Sequence, residues 1–565
     1  MLGITPWARR LASASLLVVL AGCAAWPGPR LLLQTSLSPT VLAAPAGTSP
    51  PALPDAPATS AAPGDRLGPA DGATPAEAAA PATISSPAGY ALTLPAGWRR
   101  DPEAPPVVTR LLGPGAELEI FDQPLAGTDA ATYISYSNRS VLEGWSGLKL
   151  RTDRQSSIGG YPARELTWTR PTLARLPQDR NQYHEVALQR GKDYVYTFML
   201  RSTAEQQAAA EGALTQMLHS LQFSAPQPPA GVESWQPQPA GGRDWREAMA
   251  GGHLQWEPPA QGVLWGIYDP LLNPGNWQLG RLHEFEQSLQ IRFGFVMTYQ
   301  SFGYQRFPTE ELLATARDGR LTMLTLQSWL PVPAERVYSE PLTLTMRILN
   351  GDFDAFLHSY ARAAHDLGEP FFFRFDNEMN ADWCPWGAFQ YGLDTSLYRA
   401  AWRYVWGIFQ QEGASNAIWV WNPNDRAFPN YRWNHAALYW PGARYVDWVG
   451  LTGYNVGDAY EAGQWRSFHD AYATPYAEYT RLYPGKPLLI TEFASHDSPG
   501  DKAAWIAGIT PELKRDFPAI KIAVWWNGTD GKRNYRLDTS ESSRQAFINL
   551  VQDPYARNDV RYTTP

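Results

Sequence analysis

The sequence predicts an α/β fold, a (β/α)8 TIM barrel over residues 245–553 preceded by a smaller α+β domain over residues 86–225. Three observations predict it. Eight continuously apolar runs recur after residue 260, and helical patterns separate them, the arrangement of a parallel sheet buried on both faces. A Pro/Gly-rich stretch, PQPPAGVESWQPQPAGGRD at 226–244, divides this region from an earlier one rich in alternating strands. At 565 residues the chain is also too long for one core.

Taken in order, Arg9 and Arg10 precede the apolar run Leu11 to Leu20, which ends in Leu20-Ala21-Gly22-Cys23. A charged region, a short hydrophobic region and a small-residue site in that order make an export signal, and the run is too short to remain as a membrane span. The ending resembles the lipobox of bacterial lipoproteins, so residues 1–23 are expected to be a signal peptide cleaved before Cys23, with that thiol lipidated. An extracytoplasmic protein anchored to a bacterial membrane is the expected location. Residues 24–85 are Ala/Pro-rich and, Trp26 aside, lack aromatics. Such a tether cannot bury enough apolar area to offset its ordering entropy.

Within 86–225, YALTLP, ELEIFDQPL, ARELTWTR, YHEVALQR and KDYVYTFMLR read as strands, with helices over 130–142 and 204–221. No set of His, Asp and Glu converges there. The order of elements, YALTLPAGW and IGGYPARELTW resemble PsbP-like domains, a likeness that implies a fold and no activity.

The barrel strands are placed at 263–269, 291–299, 321–329, 370–378, 417–424, 446–454, 487–493 and 520–526, with helices over 353–367, 396–412, 468–483 and 503–517. Residues 554–565 read as a C-terminal tail. No glycine-rich phosphate loop follows the first strand, which excludes a nucleotide fold. A net charge of -8 and the absence of any Lys/Arg block exclude a nucleic-acid partner. Of the two cysteines, Cys23 and Cys384, neither has an intrachain partner if the first is lipidated, so stability must come from the core. His496 and Asp497 lack a third ligand at metal spacing, and no cofactor is expected.

The fourth and seventh strands, in FFFRFDNEMNADWCPWG (371–387) and LLITEFAS (488–495), each end on a glutamate, Glu378 and Glu492. Strand ends form the mouth of such a barrel, and two carboxylates meeting there can cleave a glycosidic bond. One must be a proton donor with raised pKa and the other a carboxylate among donors. Phe375, Trp383 and Trp386 could supply apolar walls for Glu378, and Arg374 and Tyr454 could supply donors. Eighteen of the 24 tryptophans lie beyond residue 240, as a sugar-stacking protein would require. Trp383, Trp386, Trp525 and Trp526 are placed where they could bind substrate, with alternation sending one ring of the Trp525-Trp526 pair inward.

FRFDNEMNADWCPWG is similar to the acid/base segment of glycoside hydrolase family 26, and ITEF to its nucleophile segment. YVDWVGLTGYN, IWVWNPN and ILNGDFDAF resemble that family at the same places. The resemblance implies Glu378 as general acid/base, Glu492 as nucleophile, Tyr454 as the nucleophile's partner, and Trp525 or Trp526 as sugar platform. Asn377 stands where many members carry His, and Thr452-Gly453-Tyr454 where Asp-x-Tyr is frequent. The implied activity is a retaining hydrolase of internal β-linkages in a polysaccharide, with mannan, glucan and xylan all admissible. The alternative is a non-catalytic glycan-binding or envelope-organising lipoprotein. In either case a monomer whose partners are a polysaccharide and a membrane is expected.

Overall fold

Strands covered by helices on both sides need no polar face, so the eight apolar runs after residue 260 pair side by side in parallel. The computed structural model describes residues 82–225 and 242–563, save 303–305, 330–339, 341 and 460–462. The signal peptide, Cys23 and the tether as far as residue 81 lie outside the described residues.

The N-terminal module runs β1 (Ala82–Ser86), β2 (Tyr90–Leu94), β3 (Arg99–Arg100), β4 (Thr109–Gly113), β5 (Ala116–Pro124), α1 (Ala130–Ser137), α2 (Arg139–Leu142), β6 (Lys149–Ile158), β7 (Tyr161–Thr169), β8 (Gln182–Arg190), β9 (Tyr194–Ser202), α3 (Gln207–His219) and β10 (Gln222–Phe223). The first strand begins inside the stretch expected to be tether. Seven strands form one antiparallel sheet in the order β3-β4-β5-β9-β8-β7-β6. One face packs Leu118, Val186, Phe198 and Leu200 against Leu214 and Met217 of α3. The other contributes Phe121, Trp168, Tyr183 and Met199 to the core of the barrel itself. The sheet is therefore buried on both faces at its centre, and the module is packed into the barrel as one folded unit.

Between them lie α4 (Arg246–Ala250) and β11 (Leu254–Gln255). The barrel strands are β12 (Leu264–Tyr268), β13 (Phe295–Ser301), β14 (Leu321–Gln327), β15 (Phe371–Phe375), β16 (Ala417–Trp421), β17 (Trp448–Asn455), β18 (Leu488–Ser495) and β19 (Ile520–Trp526), closed by pairing of β12 with β19. Around them run α5 (Leu279–Leu289), α6 (Thr309–Arg317), α7 (Leu344–Asn350), α8 (Asp354–Leu367), α9 (Thr395–Gln411), α10 (Phe468–Leu482) and α11 (Lys502–Arg515). After β19 come a hairpin, β20 (Thr529–Asp530) with β21 (Arg533–Asn534), then α12 (Glu541–Gln552) and β22 (Arg561–Tyr562).

Every barrel strand coincides with a run expected to form one. The expected tail at 554–565 is different: β22 pairs antiparallel with β11, and Ala556 bridges Val263. Asn558 also accepts a hydrogen bond from the Trp265 amide through Oδ1 at 3.2 Å. The end of the chain is thus held against the start of the barrel. It was read as tail because two-residue pairings leave no periodicity to detect.

Asp394, the N-cap of α9, fastens the two modules together. It pairs with Arg201 and accepts the Tyr183 hydroxyl at 2.8 Å, while Oδ1 takes the Ser396 amide at 3.0 Å. Burial would raise this carboxyl, but Arg201 and Arg170 outweigh it and hold it at about 2.

Candidate active site

The site grows from the end of β15. Phe373 packs outward on Phe409 and Trp419, at 4.9 and 4.8 Å between ring centroids, and Phe372 packs on Phe295 and Trp448. Arg374, next in the strand, is wholly buried and held by Thr325 Oγ1 and Asn422 Oδ1, each accepting at 2.8 Å. Beyond Phe375 the backbone leaves the strand through two left-handed residues, Asp376 (φ 44°) and Glu378 (φ 57°). Neither is glycine, so each carries a cost of about 1–3 kcal/mol that surrounding bonds must offset. The Asp376 carboxylate accepts the Ser328 amide and hydroxyl at 2.6 and 2.8 Å, and the Glu378 amide donates to Asn422 O at 2.7 Å. Asn377 is pinned at both ends: its carbonyl accepts Trp386 Nε1 at 2.7 Å and its side chain accepts Gln327 Nε2 at 3.0 Å.

Glu492 comes from β18, where pairing with both neighbouring strands is irregular close to this residue. Arg374 Nη1 lies 2.6 Å from its Oε1, and the Tyr454 hydroxyl donates to its Oε2 at 2.6 Å. Glu378 is set differently. Burial, and then the charge of Glu492, push its carboxyl up to about 8. Burial and the same charge hold the Tyr454 and Tyr299 hydroxyls well above the ordinary phenol range, so both remain donors. One acid is thereby kept protonated near neutrality while a second carboxylate is clasped by a cation and a hydroxyl, the division of labour that double displacement at an acetal needs.

Glu378 and Tyr454 line an open groove walled by Trp383, Trp526, Asn424 and the β20–β21 hairpin. Two of the four expected indole platforms face it. The other two are corrected: Trp386 and Trp525 are fully buried. Alternation along β19 turns Trp526 inward and Trp525 out to the helical layer, where it meets Phe493 and Phe547 at 5.2 Å. Trp386 folds beneath the loop to hold the Asn377 carbonyl. Cys384 is buried, with Sγ 4.0 Å from the Asn377 carbonyl.

Sequence reasoning missed Tyr299, whose ring lies 5.4 Å from the Arg374 guanidinium, and the Asp530–Arg533 ion pair on the hairpin. Asp530-Gly531, directly after the last strand, was a turn signal that could have revealed the hairpin. Burial, opposed by Arg533, raises Asp530 to about 7. The Asp425–Arg466 pair, at 2.6 Å, borders the same groove. Among the described residues no group of three or more His, Cys, Asp or Glu side chains is placed to hold a metal ion.

Residues 331–482 match the model of glycosyl hydrolase family 26. The family 26 stretch includes Arg374, Glu378 and Tyr454, and Glu492 follows just beyond it. The chain is similar to Endoglucanase H of Acetivibrio thermocellus, 30% identical over 241 residues, covering 42% of this chain and 25% of that protein. It is also similar to mannan endo-1,4-beta-mannosidase A and B of Caldalkalibacillus mannanilyticus, 38% identical over 170 residues, 29% of each chain. The chain thus spans well under half the length of these curated relatives. Among solved structures, a Cellulomonas fimi endo-beta-1,4-mannanase aligns with a TM-score of 0.43 at 17% identity, over 56% of this chain and 76% of that one.

Proposed function

We propose that the protein is a retaining glycoside hydrolase that cleaves internal β-linkages of a polysaccharide, with Glu378 as general acid/base and Glu492 as nucleophile. One observation carries this reading: of two buried glutamates, delivered by β18 and by the loop after β15, Glu378 is raised by burial and by the charge of Glu492, while Glu492 is held by Arg374 and the Tyr454 hydroxyl. Glu378 protonates the leaving oxygen while Glu492 attacks the anomeric carbon, giving a glycosyl-enzyme. Glu378, now ionised, takes a proton from water as that water releases the sugar. Arg374 and Tyr454 fix the nucleophile's two oxygens. Asn377 sets the backbone that presents Glu378. Trp383 and Trp526 offer ring faces to the sugars flanking the scissile bond.

The curated relatives named above act on mannan or are called an endoglucanase, which places β-mannan and β-glucan ahead of xylan as substrates. The L-A-G-C ending supports an extracytoplasmic lipoprotein anchored through Cys23, and YALTLPAGW and IGGYPARELTW support a PsbP-like module over residues 86–225. Reducing-sugar release from mannan, glucan and xylan, with Glu492→Ala as control, tests the reading. Release by the wild type alone, with the anomeric configuration retained by NMR, is expected. Polysaccharide binding with no release by either protein would leave a glycan-binding scaffold instead.

A further inference from the structure

A second concavity opens where the N-terminal module meets the barrel. It shares no lining residue with the groove beside Glu378. The module supplies Asp101, Glu103 and Arg110, and the barrel supplies Arg399, Arg403 and Lys486. The balance of charge is unequal. Arg110 is committed to Asp101 at 3.2 Å and Glu119 at 2.9 Å. Arg399, Arg403 and Lys486 make no ion pair among the described residues. They donate instead to neutral oxygens: Arg399 to Thr395 Oγ1 and Leu438 O, Arg403 to Pro441 O, and Lys486 to Ala443 O and Val446 O. Glu103 acts on Arg403 only at longer range, from an exposed position at the rim.

Asp101 and Glu103 also line the site, but Asp101 is paired with Arg110 and Glu103 stands at the rim, so the charges of Arg399, Arg403 and Lys486 are not neutralised by contact and repel one another. Burial and the Arg110 charge pull Arg399 down to about 9, and burial lowers Lys486 as well. Arg399 and Arg403 lie one turn apart on α9, so both project from one side of that helix. A guanidinium pair is suited to a planar carboxylate, which it can grip with parallel hydrogen bonds. The wall beside them is aromatic: Tyr483 lines the cavity, and its ring is stacked on Trp440, another wall residue, at 3.9 Å between centroids. The cavity therefore combines cations that make no ion pair with an aromatic wall.

We propose that this seam is a binding pocket for a carboxylate-bearing sugar, a uronic acid unit, whose carboxylate is held by Arg399 and Arg403 with Lys486 beside them. The Trp440 and Tyr483 rings form the wall against which the sugar's carbon face lies. Because both modules form the walls, the pocket gives the N-terminal module a task beyond covering the barrel: it completes a site for acidic glycan away from the groove.

The test is calorimetric titration of the full chain with glucuronate, with glucose and inorganic phosphate as comparison ligands. Saturable binding of glucuronate and none of glucose is expected. Arg399→Gln combined with Arg403→Gln is expected to weaken it at least about tenfold, the scale of losing a charge-assisted bidentate contact. Arg403→Gln alone, at an exposed position, is expected to weaken binding several-fold with little change in melting temperature. Trp383→Ala, in the groove, is expected to bind glucuronate as the wild type does. The proposal is overturned by absent saturation with glucuronate, by equal affinity in the arginine variant, by loss of binding in Trp383→Ala, or by capture of phosphate with glucuronate refused.

Discussion

Arg374 and Glu492, from the fourth and seventh barrel strands, meet as a buried ion pair 2.6 Å across, and neither side chain is more than 3% exposed. The pair spans the barrel interior and holds the Glu492 carboxylate in place. Arg374→Met leaves Glu492 buried without its cation, while Asn422 Oδ1 keeps the Thr491 and Thr452 hydroxyls as donors. The expected cost is about 3–5 kcal/mol of stability. Turnover is expected to fall further than stability alone explains, because Tyr454 holds only the other oxygen. Denaturant unfolding and kcat measured on the same preparation check this. A variant of wild-type stability would show that the ion pair contributes nothing.

Glu378 carries a raised carboxyl whose cost is visible in pH. Its carboxyl titrates at about 8 in the folded chain against 4.5 when free, so folding favours the protonated form. Below 4.5 it is protonated in both states and its contribution is fully present; as pH rises toward about 8 the unfolded chain ionises first and that contribution is lost. Activity is expected to decline as pH passes about 8, since the acid is then spent. Glu378→Gln should be inactive yet more stable than the wild type, by a margin that widens from pH 4.5 to pH 8. Paired melting curves at those two values give the answer, and a constant gap would contradict the assignment.

The four indoles separate by readout. Trp386→Ala and Trp525→Ala empty fully buried sites and are expected to cost about 3–5 kcal/mol each. Trp383→Ala, at a partly buried position on the groove wall, is expected to raise KM roughly tenfold, about 1.4 kcal/mol of lost contact. Its melting temperature is expected to shift far less than those of the other two. Steady-state kinetics beside thermal melts distinguish the groups.

What the chain disclosed before folding follows from these placements. The barrel was readable because strands buried on both faces must be continuously apolar, and the two glutamates because a charge interrupting or closely following such a run is conspicuous, although β15 itself ends at Phe375 and Glu378 lies in the loop beyond it. Arg374 and Tyr454 do meet Glu492, since alternation along β15 and β17 leaves them facing inward. Trp386 was misread because it follows the strand, in a loop with no fixed alternation. Tyr299 and Asn422 went unseen: one aromatic or amide within an apolar strand looks like packing until its partners are known. The sheet face of β8 and β9 that enters the barrel core could not be told from an ordinary interior face, because a covering partner distant in sequence leaves no local mark.

That covered face leads to the last prediction, at Asp394. The carboxylate caps α9 and holds Arg201 and Tyr183 of the N-terminal module, and Arg201 and Arg170 keep it at about 2 although burial opposes them. A carboxyl depressed from 3.8 contributes stability above that value and loses it as pH falls toward 2. Arg201 keeps Glu117 and Glu119, each at 2.6 Å, so its charge is not orphaned when Asp394 is removed. Asp394→Ala still forfeits the cap, the tyrosine's acceptor and the bond between modules, and is expected to cost about 3 kcal/mol. Asp394→Asn keeps the cap and should cost less, with a shallower loss of stability between pH 3.8 and pH 2 than the wild type. Thermal unfolding of the three proteins at neutral pH and across that acid range decides it. Equal stability of Asp394→Ala and wild type would mean that apolar packing alone holds the module to the barrel.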